Sequence, residues 1–247
     1  MNFNSHGGIE GLGDFSVYNF KGELPTNNFI LSIITPEYYA KYGIKFVESA
    51  IKIEERVHLH FINPYSGNPW VYELPEFDTA LVTITTSTHP NMSKNVFCPY
   101  RFSIIKEIMN NVNYNFWMFD IDGEFNRGKL DYSHDGIGLI VRNQERYSDL
   151  ITSKLSSEWD IDWAGTYLAA FYISSNDENS RCIQLFIDKV SSVLTLKWCL
   201  CQGTMYRLYQ EYKTEFNFFQ IEDTVINGIK KNEKKSDYLF YHYGKGQ

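Results

Sequence analysis

The sequence predicts an α/β protein, a mainly parallel sheet covered by helices in a single domain. Three observations carry that expectation. Apolar patterns along the first half of the chain alternate as strand, helix, strand, strand, helix, strand, the order of a helix-covered parallel sheet. The run Phe116, Trp117, Met118, Phe119 has the length and continuity of a strand buried on both faces. The 247 residues, 43% hydrophobic and 21% charged, are enough for a sizeable core of ordinary composition.

Residues 1–28, with Gly7, Gly8, Gly11 and Gly13 close together, read as a lead-in outside the sheet, and residues 29–247 as the domain itself. Phe29–Thr35 is the first strand. After Pro36, Tyr39, Tyr42, Phe46, Val47 and Ala50 recur at helical intervals, so a helix is expected over Glu37–Ile53. Val57–Ile62 follows as a strand and places His58 and His60 on one face. No third ligand is spaced nearby, so hydrogen bonding accounts for the pair better than a metal does. A Pro-rich loop, 63–79, carries Trp70 and Tyr72 as candidate ligand contacts, and Ala80–Thr86 is a β-branched strand.

Lys94–Asn111 has a helical stripe of Phe102, Ile105, Ile108 and Met109 and runs into the aromatic strand. Beyond it, strands are expected at Gly136–Val141 and Tyr167–Ile173, and helices at Asn179–Leu194 and Trp198–Lys213. A partly extended return covers Glu215–Gly228, Lys230–Lys235 is a solvated basic turn, and Tyr238–Tyr241 is a last packed strand.

The aromatic strand ends in Asp120 and Asp122, and Gly123 lets the chain turn. In open α/β sheets the carboxyl ends of the strands face the ligand crevice. Two carboxylates two residues apart there can converge on a hard divalent cation that keeps positions open for phosphate oxygens.

A net charge of −7 argues against a broad surface for nucleic acid or anionic membranes. The four cysteines, Cys98, Cys182, Cys199 and Cys201, lack zinc-site spacing and read as reduced core thiols. No apolar run approaches the ~20 residues of a membrane span, and a cytoplasmic protein is expected.

Taken together, several stretches resemble the GT-A nucleotide-sugar glycosyltransferases, most closely the retaining, family 8-like branch of glycogenin and the lipopolysaccharide galactosyltransferases. These are Tyr38–Gly43, Pro99-Tyr100-Arg101-Phe102, Phe119-Asp120-Ile121-Asp122, Trp163–Leu168, Trp198–Gln202 and His242-Tyr243-Gly244-Lys245. The resemblance spans roughly residues 29–245. It implies a GT-A-like, Rossmann-like fold and transfer of a sugar, with retention, from a nucleoside diphosphate donor, a UDP-sugar foremost, to a hydroxyl acceptor such as a glycan. Asp120, Asp122 and His242 would hold Mn²⁺ or Mg²⁺. Tyr39, Arg101, Asp120, Gly165, Gly244 and Lys245 would meet the donor, and Gln202 would act at its sugar.

Three departures stand against that pattern. Cys201 replaces the acid before Gln202, Trp163 replaces the asparagine before Ala164, and Gly244 follows His242 by only two residues. An inverting reaction would need a general base, for which Asp160 and Asp162 are the candidates. Two other readings stay open. One is a non-catalytic binding module on the same fold. The other is a phosphatase resembling the haloacid dehalogenases, with Asp120 as nucleophile, although Glu124 stands where that family has Thr or Ser.

Overall fold

The computed structural model describes residues 9–10, 15–64, 77, 80–89, 94–141, 165–192, 195–196, 200–222, 224–226 and 234–243. Among these, twelve strands run along the chain: β1 (Ile9–Glu10), β2 (Tyr18–Gly22), β3 (Phe29–Ile34), β4 (Val57–Pro64), β5 (Val82–His89), β6 (Phe116–Phe119), β7 (Gly123–Phe125), β8 (Ile137–Leu139), β9 (Ala170–Ile173), β10 (Thr195–Leu196), β11 (Phe218–Gln220) and β12 (Phe240–His242). The helices are α1 (Pro36–Tyr38), a π-helical turn (Tyr39–Gly43), α2 (Ile44–Lys52), α3 (Lys94–Asn111), α4 (Asp177–Ser191) and α5 (Leu200–Tyr212).

Eight strands form one mixed sheet in the order β11-β8-β9-β6-β3-β4-β5-β2, mostly parallel, with β9 and β2 reversed. The chain leaves β3 outward to β4 and β5, then returns to lay β6 on β3's other side. The carboxyl ends of β3 and β6 therefore flank a topological switch point, where open α/β sheets form their ligand crevice.

Period-two alternation divides the core between the two faces of this sheet. Phe29, Leu31 and Ile33 of β3, Phe116 and Met118 of β6, and Phe171 and Ile173 of β9 pack with α3, α4 and α5. The intervening Ile30, Ile34, Trp117, Phe119 and Tyr172 pack on the other face with Phe46, Val47 and Ala50 of α2. Full burial of one such ring contributes about 1.5–3 kcal/mol, which is why the sequence shows continuous apolar runs here rather than alternation with polar residues. At the start of α4 the Asn176 side chain accepts from Asn179 N–H at 2.8 Å, while Asp177 and Glu178 complement the helix dipole.

One expectation is corrected. The segment read as a lead-in outside the sheet contributes its edge strand, since β2 pairs antiparallel with β5. Its side chains are mostly exposed and a bulge interrupts its register near Asn19, which has φ 53°, so no apolar alternation marked it. Lys235 is exposed, as expected of a solvated turn, and is ion-paired with Glu124. The long helix after Pro36 is present but contains the π-helical turn, in which the Tyr39 ring lies where a Cβ on Gly43 would stand, only 2.1 Å away.

His58 and His60 are fully buried, bonded to Thr83, Thr85 and Ser87 at 2.8–2.9 Å. Burial pushes His58 down to about 3 and His60 well below its ordinary value. The unfolded chain takes up these protons near pH 6.5 and the folded chain does not. The stability they carry is thus present above about pH 6.5 and lost as pH falls toward 3. Between pH 7 and pH 5 His58 is expected to remove about 2 kcal/mol of unfolding free energy, and His60 acts in the same direction. Urea unfolding at the two pH values checks this, and an unchanged midpoint would contradict it.

Candidate metal centre

The site begins where β6 ends. Asp120 N–H still donates to the Ala169 carbonyl at 2.9 Å, so the sheet's hydrogen bonding holds Asp120 one residue beyond the strand. Ile121 turns into the core, and Asp122 returns to the crevice. Gly123 then opens β7, which pairs antiparallel with β12 and sets His242 opposite Gly123. Tyr243 N–H donates to the Asp122 carbonyl at 2.9 Å and locks the register.

That pairing depends on glycine. A Cβ at position 123 would stand 2.3 Å from the Phe240 ring and 2.7 Å from the Tyr241 carbonyl oxygen. Gly123→Ala is expected to cost about 1–3 kcal/mol and to displace His242 from Asp122. Thermal unfolding together with a metal titration checks both effects. An unchanged melting temperature with unchanged metal affinity would contradict them.

Asp120, Asp122 and His242 offer three ligand atoms that all lie within 4.8 Å of one another. Two ligands on opposite sides of one ion at ~2.1 Å each span about 4.2 Å, so small side-chain adjustments bring the set onto a single cation. The Asp122 carboxylate accepts from His242 Nε2 at 2.9 Å, and on the far side of the ring Nδ1 lies 2.7 Å from the Tyr167 hydroxyl. When Nε2 gives its lone pair to a cation, Nδ1 carries the proton and donates to Tyr167, the outer-sphere partner that fixes tautomer and ring orientation.

Arg101, on α3, is almost fully buried. It donates through Nη1 to Asp120 Oδ1 at 2.9 Å and through Nη2 to the Leu168 carbonyl at 3.2 Å. Tyr100 anchors the same turn of α3, donating to the Thr88 carbonyl at 3.2 Å. Burial raises the Asp120 carboxyl above its ordinary value and Asp122 adds to this, while Arg101 and His242 oppose it. Burial also pushes Asp122 up, but the hydrogen bond and charge of His242, with Lys41, hold it below the usual carboxylate range. The two acids are thus pulled apart, and a divalent cation between them would favour the ionised form of both.

No family model and no curated protein matches this chain. The centre therefore rests on its own geometry. The structure brings together four of the residues expected from the sequence: Arg101, Asp120, Asp122 and His242. Gln202 lies in the first turn of α5, its carbonyl accepting from the Thr166 hydroxyl at 2.8 Å. Its neighbour Cys201 is a buried thiol within electrostatic reach of Arg101. Gly165 lies against the Tyr206 ring of α5, 2.3 Å from where its Cβ would be. Tyr39 packs on Phe61. Asp160, Asp162, Trp163, Gly244, Lys245, Cys199, Trp70, Tyr72 and the 230–233 part of the basic turn lie outside the described residues.

Three residues join the site that the sequence did not single out. Tyr167 supports His242. Tyr38, next to Tyr39, is half exposed; burial and then the charge of Asp122 raise its hydroxyl. Lys41 is raised by its hydrogen bond to Tyr42 and, more weakly, by Asp122. The signal was present in the Tyr-rich stretch 38–43 and in the 163–168 stretch, but side-chain direction within a π-helical turn is not readable from helical spacing. Among the described residues no helix is long and apolar enough to cross a membrane.

Proposed function

We propose that the protein is a metal-dependent glycosyltransferase of GT-A-like fold, moving a sugar from a nucleoside diphosphate donor, a UDP-sugar foremost, to a hydroxyl acceptor with retention. One observation carries the reading: two carboxylates and an imidazole gather at the carboxyl end of the central strand, beside the sheet's switch point. The O,O,N donor set suits Mn²⁺, and Mg²⁺ less well because of the imidazole nitrogen. The bound ion would stabilise the negative charge that gathers on the departing diphosphate.

The remaining roles belong to the chain. Arg101 holds Asp120 in place and balances its charge, and Tyr167 aims His242. Lys41, charged and solvent-facing near Asp122, is placed to meet a phosphate. Gln202, a neutral amide, can hydrogen-bond a donor hydroxyl near a transition state of oxocarbenium character. The acceptor is any hydroxyl compound that reaches this crevice, a glycan among them.

Tyr167→Phe removes only an outer-sphere hydroxyl, so Mn²⁺ affinity is expected to fall about 10–100-fold with the fold retained. Calorimetric titration with Mn²⁺ measures it, and wild-type affinity in the variant would remove Tyr167 from the site.

Cys201, standing where the resemblance expects an acid, favours a second reading in which the site binds donor without turning it over. The phosphatase reading is weakened because Asp120, its required nucleophile, is engaged by Arg101. Thermal-shift measurements with UDP, GDP and their sugars, each with and without Mn²⁺, test donor binding. Release of UDP or GDP from the stabilising nucleotide sugar then separates turnover from binding alone. No metal-dependent shift with any of them would overturn the proposal.

A further inference from the structure

A continuous chain of buried hydrogen bonds runs between β4 and β5. Thr83 Oγ1 meets His58 Nδ1 at 2.8 Å, and His58 Nε2 meets Thr85 Oγ1 at 2.9 Å. The same Thr85 oxygen meets His60 Nδ1 at 2.8 Å, and His60 Nε2 meets Ser87 Oγ at 2.8 Å. Ser87 in turn lies 3.5 Å from the Tyr100 hydroxyl. His58, Thr85 and His60 are fully buried, Ser87 nearly so, and Thr83 at the far end is half-buried. Phe20 stacks on His60 and Phe29 packs edge-on to His58, which keeps water from the rings.

Hydrogen-bond stoichiometry restricts this chain sharply. A neutral imidazole carries one donor nitrogen and one acceptor nitrogen, and a threonine hydroxyl has one proton. Thr85 Oγ1 contacts both rings and has no other partner among the described residues. If His58 Nε2 and His60 Nδ1 both lacked protons, one hydroxyl proton would have to serve two acceptors. If both carried protons, the Thr85 proton would be buried with nothing to accept it, at a cost of about 1–3 kcal/mol. Only two arrangements leave every group paired: both rings protonated on Nε2, or both on Nδ1.

We propose that His58 and His60 act as one two-state relay, both neutral and always in the same tautomer, with Thr85 as the coupling element. The two states differ by reversal of every bond in the chain. Passage from the Nε2–H state to the Nδ1–H state moves protons in one direction. Thr83 gives its proton to His58 Nδ1, His58 Nε2 gives its own to Thr85, Thr85 passes one to His60 Nδ1, and His60 Nε2 passes one to Ser87. One proton is taken up from solvent at Thr83 and one leaves Ser87 toward the Tyr100 side, and both rings begin and end neutral. The relay spans four residues of extended strand, about 13 Å. It ends beside Tyr100, the neighbour of Arg101, on the crevice side of the sheet. This inference stands independently of the transferase proposal.

The test is long-range ¹H–¹⁵N correlation of the histidine rings in uniformly labelled full-length protein at pH 7, assigned through ring-to-backbone correlations. Both rings are expected to be neutral and of one tautomer. Opposite tautomers, or a cationic ring, would overturn the proposal without any substitution. Two near-isosteric variants then test the coupling. Ser87→Ala leaves His60 Nε2 without an acceptor, so both rings should adopt Nδ1–H, where His58 keeps Thr83 as its partner. Thr85→Val takes the partner from His58 Nε2 and His60 Nδ1, so the rings should part into opposite tautomers, Nδ1–H on His58 and Nε2–H on His60. Rings that keep one shared tautomer in Thr85→Val, or that differ in Ser87→Ala, would show that Thr85 does not couple them and that the relay does not exist.

Discussion

The Asp122→Asn protein is expected to fold as the wild type does and to lose Mn²⁺-dependent stabilisation by a nucleoside diphosphate. Asparagine preserves the side chain's shape and can still accept from His242 Nε2, now 2.9 Å from the Asp122 carboxylate, so the β7–β12 register should survive. It removes a charged ligand from a set of three. Loss of a direct ligand should exceed the ~10–100-fold typical of outer-sphere partners, so a fall in metal affinity of more than ~100-fold is expected. Calorimetric titration of Mn²⁺ and thermal shifts with UDP or GDP read the effect. Retained metal affinity in Asp122→Asn, with the protein folded, would show that the ion binds elsewhere.

Arg101→Met should produce one of the two largest losses of stability among single changes at the site. The Arg101 side chain is 7% exposed and that of Asp120 34% exposed, so the pair is buried on one side and partly wet on the other. Removing one partner of a fully buried pair costs about 3–5 kcal/mol, and water reaching Asp120 brings the expected value down to about 2–3 kcal/mol. The Leu168 carbonyl loses its Nη2 donor at the same time. Asp120→Asn should cost at least as much, because it leaves a buried cation without its counter-charge. Urea unfolding of both variants and the double variant gives the coupling energy. A coupling near zero would mean that Arg101 does not hold Asp120, and the charge-balancing role would fall with it.

Much of the architecture was legible because its strands are buried on both faces. Phe29–Ile34, Phe116–Phe119 and Ala170–Ile173 each show as an apolar run, and their order along the chain is enough to expect a helix-covered sheet. The edge strand Tyr18–Gly22 was not legible, since one paired edge and mostly exposed side chains leave no hydrophobic period. Asp120 and Asp122 could be singled out because charge ends an aromatic strand. His242 entered only through the family resemblance, since it joins them by pairing over 120 residues, a separation no local pattern records. Arg101 was expected to touch a ligand; its bonds to Asp120 and the Leu168 carbonyl were not legible, because helix periodicity places a residue on a face without stating what that face meets. Tyr167 was within a quoted motif, yet its partner His242 is 75 residues away.

The distance in sequence between Asp122 and His242 also bears on the order in which the molecule becomes competent. Chains are made from the amino terminus, and segments pair as they become available. A nascent chain extending to about residue 225 contains every strand of the eight-stranded sheet and both carboxylates, but not β12 or its imidazole. Two acids alone, one already paired with Arg101, would hold a divalent ion weakly. Tight metal binding by this set would thus have to await the docking of residues 240–242 and could not accompany formation of the sheet.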